Sequence, residues 1–174
     1  MEGIGVELRN IEVHDLPLYE AIHCDPAMMA ELGGPLPREG LAKKLRRDVA
    51  STEAGQTWVL KIIPDEEAGT PAGTVTIWEH ELKGQCINEI GWMVLPGFQG
   101  RGVGSEAVRS VLDRARSEGR WDVVHAFPPV TNARSNAMCR KMGFTIVEEI
   151  DYEFRDRLLR CNQWQLDLRS AVPS

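Results

Sequence analysis

A segment in the middle of the chain changes its hydrophobic period across a turn that is rich in glycine. Residues 88–95 (NEIGWMVL) have the apolar content of a strand, and a period of 3.6 residues begins at Val103. Between them, Gly100, Gly102 and Gly104 stand at alternate positions. Such a turn directs the first amides of the helix toward one point, where the helix dipole also favours negative charge. The segment therefore predicts a site for a phosphate or a diphosphate, with Arg101 at its rim.

Hydrophobic periodicity along the rest of the chain predicts one α/β domain. The expected order of elements is β, α, α, β, β, β, α, β, α, β, β. The predicted strands are 2–10, 57–63, 73–79, 88–95, 122–127, 144–150 and 161–168, and the predicted helices start after the N-cap Asp15, at Glu39, at Val103 and at Ser135. No linker or internal repeat divides the sequence, so we expect residues 1–174 to form a single domain with a mixed sheet.

Composition excludes several classes of protein. The chain carries 20 basic and 26 acidic residues, a net charge of −6, whereas a general nucleic-acid binder has a basic face. No apolar run approaches the ~20 residues that cross a bilayer, and the N-terminal residues do not resemble a signal peptide. The four cysteines and four histidines are scattered, which favours free thiols over disulfides or a metal site. We expect a cytoplasmic protein with no nucleic-acid, membrane or metal partner.

Two common phosphate motifs do not fit the glycine turn. The spacing of its glycines differs from the Rossmann pattern G-x-G-x-x-G, and no lysine follows them as in a P-loop. The segment instead resembles the cofactor signature of the GNAT superfamily of acyl-CoA N-acyltransferases, [Q/R]-x-x-G-x-[G/A], here Gln99-x-x-Gly102-x-Gly104. A second pattern of that superfamily, an Asn eleven residues before a Gly-Phe pair, is matched by Asn132 and Gly143-Phe144.

The resemblance implies a GNAT-like fold and acetyl-CoA as co-substrate. This fold has a mixed, mostly antiparallel sheet of about seven strands with four helices, and the fourth strand splays from the fifth. The unpaired backbone of Trp92, Met93 and Val94 would then bind the pantetheine arm as a strand would. Asn132 would contact the pantetheine or phosphate region, and the helix from Ser135 would flank the arm. The amides expected to bind the diphosphate are those of Gln99, Gly100, Arg101, Gly102, Val103, Gly104 and Ser105.

Acetyl transfer to an amine requires a base, because an amine with a lysine-like pKa near 10.4 is about 99.9% protonated at neutral pH. Glu89, on the fourth strand, is the candidate base, and many members of the superfamily have Glu there. The alternative is that Glu89 is a strand-edge carboxylate bonded to a neighbour. The resemblance also implies that the N–H of Val94 stabilises the oxyanion.

The chain departs from the superfamily at one position. Many relatives have a Tyr seven residues after the Asn, as general acid for the leaving thiolate, and this chain has Cys139 there. A thiol is a weak donor, so Cys139 is interpreted as a packing residue. Tyr19 and Tyr152 are the only tyrosines and could act instead, which leaves the acid unassigned.

The sequence leaves the acceptor open. A small-molecule amine, such as an antibiotic or polyamine, is the first hypothesis, and the acidic pI of about 5.3 mildly favours cationic acceptors. A protein N-terminus, a non-catalytic acyl-CoA sensor and an unrelated phosphate-binding module are the alternatives. In the superfamily, the segments that correspond to 25–37 and 151–160 shape the acceptor pocket, and both look irregular here. A homodimer is kept as a hypothesis, because dimers are the commonest oligomers.

Overall fold

The computed structural model describes residues 4–65 and 69–170. Within these ranges the elements follow the predicted order. Residues 2 and 3 of the predicted first strand, and 66–68 of the loop between the second and third strands, lie outside the described residues. The strands are β1 Val6–Asn10, β2 Trp58–Pro64, β3 Gly73–Leu82, β4 Gln85–Val94, β5 Val123–Ala126, β6 Thr145–Phe154 and β7 Arg157–Asp167. The helices are α1 Leu16–His23, α2 Leu41–Glu53, α3 Val103–Glu118 and α4 Ala133–Lys141.

The strands form one seven-stranded sheet in the order β1-β2-β3-β4-β5-β7-β6. Every neighbouring pair is antiparallel except β4 and β5, which are parallel. The parallel ladder consists of one residue pair in the described chain, Glu89 with His125. Beyond Glu89, β4 continues to Val94 beside β3 alone. This confirms the predicted fold, including the splay between the fourth and fifth strands.

The two faces of the sheet bury separate cores. The apolar side of α3, which includes Val108 and Leu112, packs with Ile77, Ile90 and Trp164 on one face. Helices α1 and α2 cover part of the other face and bury an independent cluster that includes Tyr19 and Leu45. Because side chains alternate along a strand, Trp92 and Val94 join the α3 core, whereas Met93 and Leu95 pack toward α1 and α2. Glu89 has the same parity as Met93 and lies on the α1–α2 face.

The last hairpin is longer than the sequence indicates. The predicted strands end at 150 and resume at 161, but β6 and β7 continue to a two-residue turn at Arg155 and Asp156, whose φ angles are 51° and 60°. The segment 151–160 is therefore regular, contrary to the prediction. Its charged residues suggest a loop, but β6 is an exposed edge strand on which charge is solvated. Cross-strand pairs also neutralise it, since Arg160 lies 3.2 Å from Asp151 and 3.3 Å from Glu149.

Asp15 occupies the predicted N-cap position of α1, but its side chain makes no capping hydrogen bond. Its carboxylate instead binds the ammonium of Lys61 at 2.9 Å, and both residues are buried. Glu12 also binds Lys61, at 2.6 Å. Glu12, His14 and Asp15 could together offer ligands to a metal ion, but a cation there would have to displace the lysine. Among the described residues, no helix combines the length and apolar character that crossing a membrane requires.

Candidate active site

The end of β4 presents backbone groups to the gap beside β5. The amide of Leu95 donates to the carbonyl of Ala72, on the β3 side. Since alternate residues of a strand direct their N–H and C=O groups to opposite neighbours, the backbone groups of Trp92 and Val94 face the gap. Those of Met93 face β3, so Trp92 and Val94 are the two predicted pantetheine contacts that this alternation directs toward the gap, and all three contacts stay predictions. Because backbone groups alternate along a strand, only every second residue of β4 can direct its N–H and C=O groups to the gap.

The turn after β4 has the conformation that its glycines permit. Gly102 is the N-cap of α3 with φ of 86°, a left-handed conformation that a side chain disfavours. It offers no capping side chain, so the amides of Val103, Gly104 and Ser105 at the first turn of α3 have no intrahelical partner. At Gly104 a Cβ atom would lie 3.1 Å from Val94 Cγ2. The absence of a side chain therefore lets the helix start directly against the end of β4.

Gln99 links the glycine turn to β4 and to α4. Its Nε2 donates to the carbonyl of Val94 at 2.8 Å, and its Oε1 accepts from the guanidinium of Arg134 on α4. The backbone amide of Gln99 donates to the Pro96 carbonyl at 3.2 Å, so this predicted diphosphate donor already has a partner. Lys141, at the end of α4, donates to Ser105 Oγ at 3.1 Å. Two cationic side chains from α4 therefore lie beside the turn, as an anion site requires.

The start of α4 is fixed by two asparagines, of which the sequence analysis identified one. Asn132 is the N-cap, and its Oδ1 accepts from the amide of Ser135 at 3.1 Å. Asn136 is buried and was not predicted. Its Nδ2 donates to the carbonyls of Pro129 and Asn132, and its Oδ1 accepts from Asn162 Nδ2 and Trp164 Nε1 at 2.8 and 2.9 Å. An asparagine inside a helix was the available signal, because its side chain competes with helical backbone bonds unless it is bonded elsewhere.

Glu89 lies at the point where β4 and β5 separate, and two side chains from other strands hold its carboxylate. The hydroxyl of Tyr152 on β6 donates to Glu89 Oε2 at 2.7 Å. Nε2 of His80 on β3 lies 2.7 Å from the same oxygen. Glu89 is therefore bonded to neighbours, as the alternative interpretation predicted, and the structure also places it at the last residue pair between β4 and β5. Sequence reasoning missed His80 and named Tyr152 only as one of two tyrosines.

The surroundings of Glu89 shift the pKa values of its partners. The hydrogen bond to Glu89 raises the pKa of His80 above 6.5, against an opposing effect of burial. Burial, followed by the charge of Glu89, raises the pKa of Tyr152, so this phenol stays protonated and acts as a donor. Burial lowers the pKa of His125, the residue paired with Glu89 across the splay. The site therefore places Glu89 between a phenol that donates and an imidazole whose pKa is raised.

The predicted acceptor segments do border a common cleft, of about 360 Å³. It lies between the segment after α1, the turn before α4 and the tip of the last hairpin, with Glu31, Thr131 and Arg157 among its lining residues. Leu159, also in the lining, is paired with Tyr152 across the hairpin, which connects the cleft to the face that holds Glu89. A second cleft, of about 390 Å³, lies at the beginning of β4 and β5, away from the glycine turn.

The two other candidate acids, Cys139 and Tyr19, lie apart from Glu89. Cys139 is fully buried in the α3 core, and burial raises the pKa of its thiol to about 12. Cys139 is therefore a packing residue, as the sequence predicts. Tyr19 donates to Asp48 at 2.7 Å within the α1–α2 cluster. Of the two tyrosines, Tyr152 is the one in contact with Glu89.

Comparison with known proteins gives a family match and several structural likenesses. The acetyltransferase (GNAT) domain family matches residues 6–145. A search of curated proteins found no match. RimL, a ribosomal L7/L12 alpha-N-protein acetyltransferase in complex with coenzyme A, has a TM-score of 0.77 at 20% identity, over 93% of each chain. The microcin C7 self-immunity acetyltransferase MccE, in complex with acetyl-CoA and AMP, has a TM-score of 0.77 at 15% identity, over 93% of this chain and 92% of MccE.

A third solved structure extends the same likeness. The ribosomal-protein-S5-alanine acetyltransferase from Vibrio fischeri has a TM-score of 0.77 at 15% identity, over 99% of this chain and 97% of that one. At these identities the likenesses describe a shared fold. The acceptors named for these proteins differ, so the fold alone does not select among them.

Proposed function

This chain belongs to the GNAT acetyltransferase family and is an acetyl-CoA-dependent N-acetyltransferase, and we propose that its acceptor is the primary amine of a small molecule. In this proposal the amine attacks the thioester directly while both substrates are bound. The position of Glu89 supports direct attack, because His80 and Tyr152 hold its carboxylate at the point where β4 and β5 separate.

The glycine turn and the end of β4 are proposed to hold acetyl-CoA. The residues at this end fit that group, because first-turn amides and two nearby cations, Arg134 and Lys141, can bind a diphosphate. The backbone groups of Trp92 and Val94 that face the gap can bind a pantetheine arm as an added strand. Asn132 and Ser135 begin the helix on the other side of that gap. Acetyl-CoA supplies the activated acetyl group, and these residues position it.

Glu89 is proposed to remove the proton from the acceptor ammonium, directly or through one water. Both of its hydrogen bonds from described residues go to Oε2, so Oε1 is the oxygen that accepts. The N–H of Val94 would stabilise charge on the carbonyl oxygen as the C–N bond forms. The carbonyl of the same residue is held by Gln99, which fixes the peptide plane that follows it.

A small-molecule acceptor is supported by the cleft that Leu159, the strand partner of Tyr152, helps to line. Its volume of about 360 Å³ is within the range of about 300–1,000 Å³ of small-molecule sites. The alternative acceptor is a protein N-terminus, and a non-catalytic acyl-CoA sensor is the alternative outside enzymes. A cytoplasmic location and a homodimer stay predictions.

The test is release of coenzyme A from acetyl-CoA, measured with a panel of polyamines, aminoglycosides, amino acids and N-terminal peptides. We expect turnover with a small amine, and a loss of kcat of about 100-fold in Glu89→Gln. Glu118→Gln, a surface glutamate at the end of α3, is the matched control. Turnover with peptides alone would favour the alternative acceptor, and coenzyme A binding without turnover would favour the sensor. The absence of both coenzyme A binding and turnover would overturn the proposal.

A further inference from the structure

The two ring nitrogens of His80 both face oxygen atoms. Nε2 lies 2.7 Å from Glu89 Oε2, and Nδ1 lies 3.2 Å from the backbone carbonyl of Glu81. A carbonyl oxygen only accepts hydrogen bonds, so we assign His80 the form with a proton on Nδ1, from its contact with this carbonyl. A second proton must then lie between Nε2 and Oε2, either on the imidazole or on the carboxyl group. His80 and Glu89 therefore share one proton, and its loss leaves two lone pairs facing each other.

The exposure of the two residues differs. The side chain of Glu89 is 10% exposed, whereas that of His80 is 24% exposed. Glu89 can thus meet a bound substrate but has little contact with solvent, and His80 can exchange a proton with water. Trp78, which is paired with Glu89 on β3, stacks near the imidazole with ring centroids 6.2 Å apart. The imidazole is thereby held in place between Glu89 and the surface.

The other titratable groups around this pair come from three strands. Tyr152 on β6 donates to Glu89, and its raised pKa keeps it protonated. His125 on β5 has a pKa lowered by burial and by His80, and it stays neutral when His80 is charged. Cys161 on β7 has a pKa raised to about 11, by burial first and by Glu89 second. Near neutral pH, His80 is the member of this group that changes charge.

We propose that His80 and Glu89 act together as the base, with His80 as the positioning residue that stores the proton and releases it to solvent. This inference rests on the proposed function of Glu89. Once the pair has lost its shared proton to solvent, one proton leaves the acceptor ammonium for Glu89 and reaches His80, which becomes imidazolium. The amine nitrogen then forms the C–N bond as the C–S bond breaks, and its second proton ends on the departing thiolate. The imidazolium returns its proton to water, so the overall products are the amide, coenzyme A thiol and one proton.

The experiment compares the pH profile of kcat, from pH 5.5 to 9.5, for the wild-type enzyme, His80→Gln and His14→Gln. Glutamine keeps a donor to Glu89 but cannot take up a proton. We expect the acidic limb of the wild-type profile to have a pKa above 6.5, the ordinary value for histidine. In His80→Gln this limb should move below the measured range, and kcat on the plateau should fall about tenfold. The exposed His14, whose side chain is 70% exposed, is the control and should keep the wild-type profile.

NMR titration of the His80 imidazole in the free enzyme supplies a readout that does not need turnover. The His80 resonance should titrate above pH 6.5 in the wild-type enzyme and at lower pH in Glu89→Gln, because glutamine stabilises imidazolium less than a carboxylate does. An unchanged acidic limb in His80→Gln, or a His80 pKa that is equal in both proteins, would overturn the inference. A wild-type enzyme that acetylates no amine would overturn the proposed function instead, so the two failures are distinguishable.

Discussion

The side-chain amide of Gln99 donates to the carbonyl of Val94 at 2.8 Å. This bond joins the glycine turn to the last residue of β4, and so connects the proposed diphosphate site to the proposed oxyanion donor. Because the turn itself has glycines at 97, 100, 102 and 104, its backbone is free to sample many conformations when it is not held. Gln99 is therefore expected to keep the turn ready for its ligand.

Gln99→Ala should weaken coenzyme A binding. Loss of the hydrogen bond to Val94 costs about 1 kcal/mol, which is about five-fold in Kd, and both the loss of the bond from Arg134 and the ordering of a freer turn add to this cost. Titration calorimetry with coenzyme A measures the effect, with Gln85→Ala at the exposed start of β4 as the control. An unchanged Kd in Gln99→Ala would show that the turn does not depend on this bond.

Gly102→Ala should destabilise the protein and weaken coenzyme A binding together. At a φ of 86°, an alanine costs about 1–2 kcal/mol relative to glycine. Gly97→Ala is the matched control, because a Cβ there meets no atom within 4 Å and the backbone is not left-handed. Urea denaturation and calorimetry of both variants provide the comparison. Equal stabilities for the two variants would contradict the conformation assigned to Gly102.

Tyr152→Phe should lower kcat about tenfold without changing the Kd for coenzyme A. The ring of Tyr152 stacks on Phe127 with centroids 4.8 Å apart, so phenylalanine keeps the packing and removes only the hydroxyl that holds Glu89. Tyr19→Phe also loses a buried hydroxyl, the donor to Asp48, and should affect stability rather than kcat. Steady-state kinetics of both variants tests this, and equal kcat values for Tyr152→Phe and the wild type would exclude a catalytic contribution of that hydroxyl.

Lys61→Met should destabilise the fold by about 3–5 kcal/mol, because it leaves the carboxylate of Asp15 buried without its partner. The double variant Asp15→Asn with Lys61→Met removes both charges and should recover part of that loss. Urea denaturation at pH 7 measures the free energies of unfolding. If Lys61→Met loses less free energy of unfolding than the double variant does, Asp15 does not need the ion pair in order to be buried.

Acid should destabilise the protein partly through His23. Burial lowers the pKa of His23 to about 4, from 6.5, and its Nδ1 has no hydrogen-bond partner among the described residues. The unfolded chain therefore binds a proton more readily, so stability falls as the pH drops from about 6.5 toward 4, by up to about 3 kcal/mol. His23→Gln should flatten this part of the stability profile. A His23 imidazole that titrates near 6.5 in the folded protein would contradict this account.

The order of elements and the glycine turn follow from the sequence, because both depend on residues that are close in the chain. The period of α3 and the run that forms β4 are local signals, and so are the left-handed glycines at 102 and 119. The hairpin of β6 and β7 was harder to predict, since the charges of an exposed edge strand resemble those of a loop. Local patterns report whether a face is buried, and this strand has few buried positions.

Residues close together in the chain predict the fold class, the glycine turn as a candidate anion site and Glu89 as the candidate base. Tertiary structure alone decided the partners of Glu89, since His80 and Tyr152 come from β3 and β6 and meet it only when seven strands align in one register. It also decided that Asn136 connects α4 to β7. Contacts of this kind depend on which strands are neighbours, and hydrophobic periodicity carries no information about that.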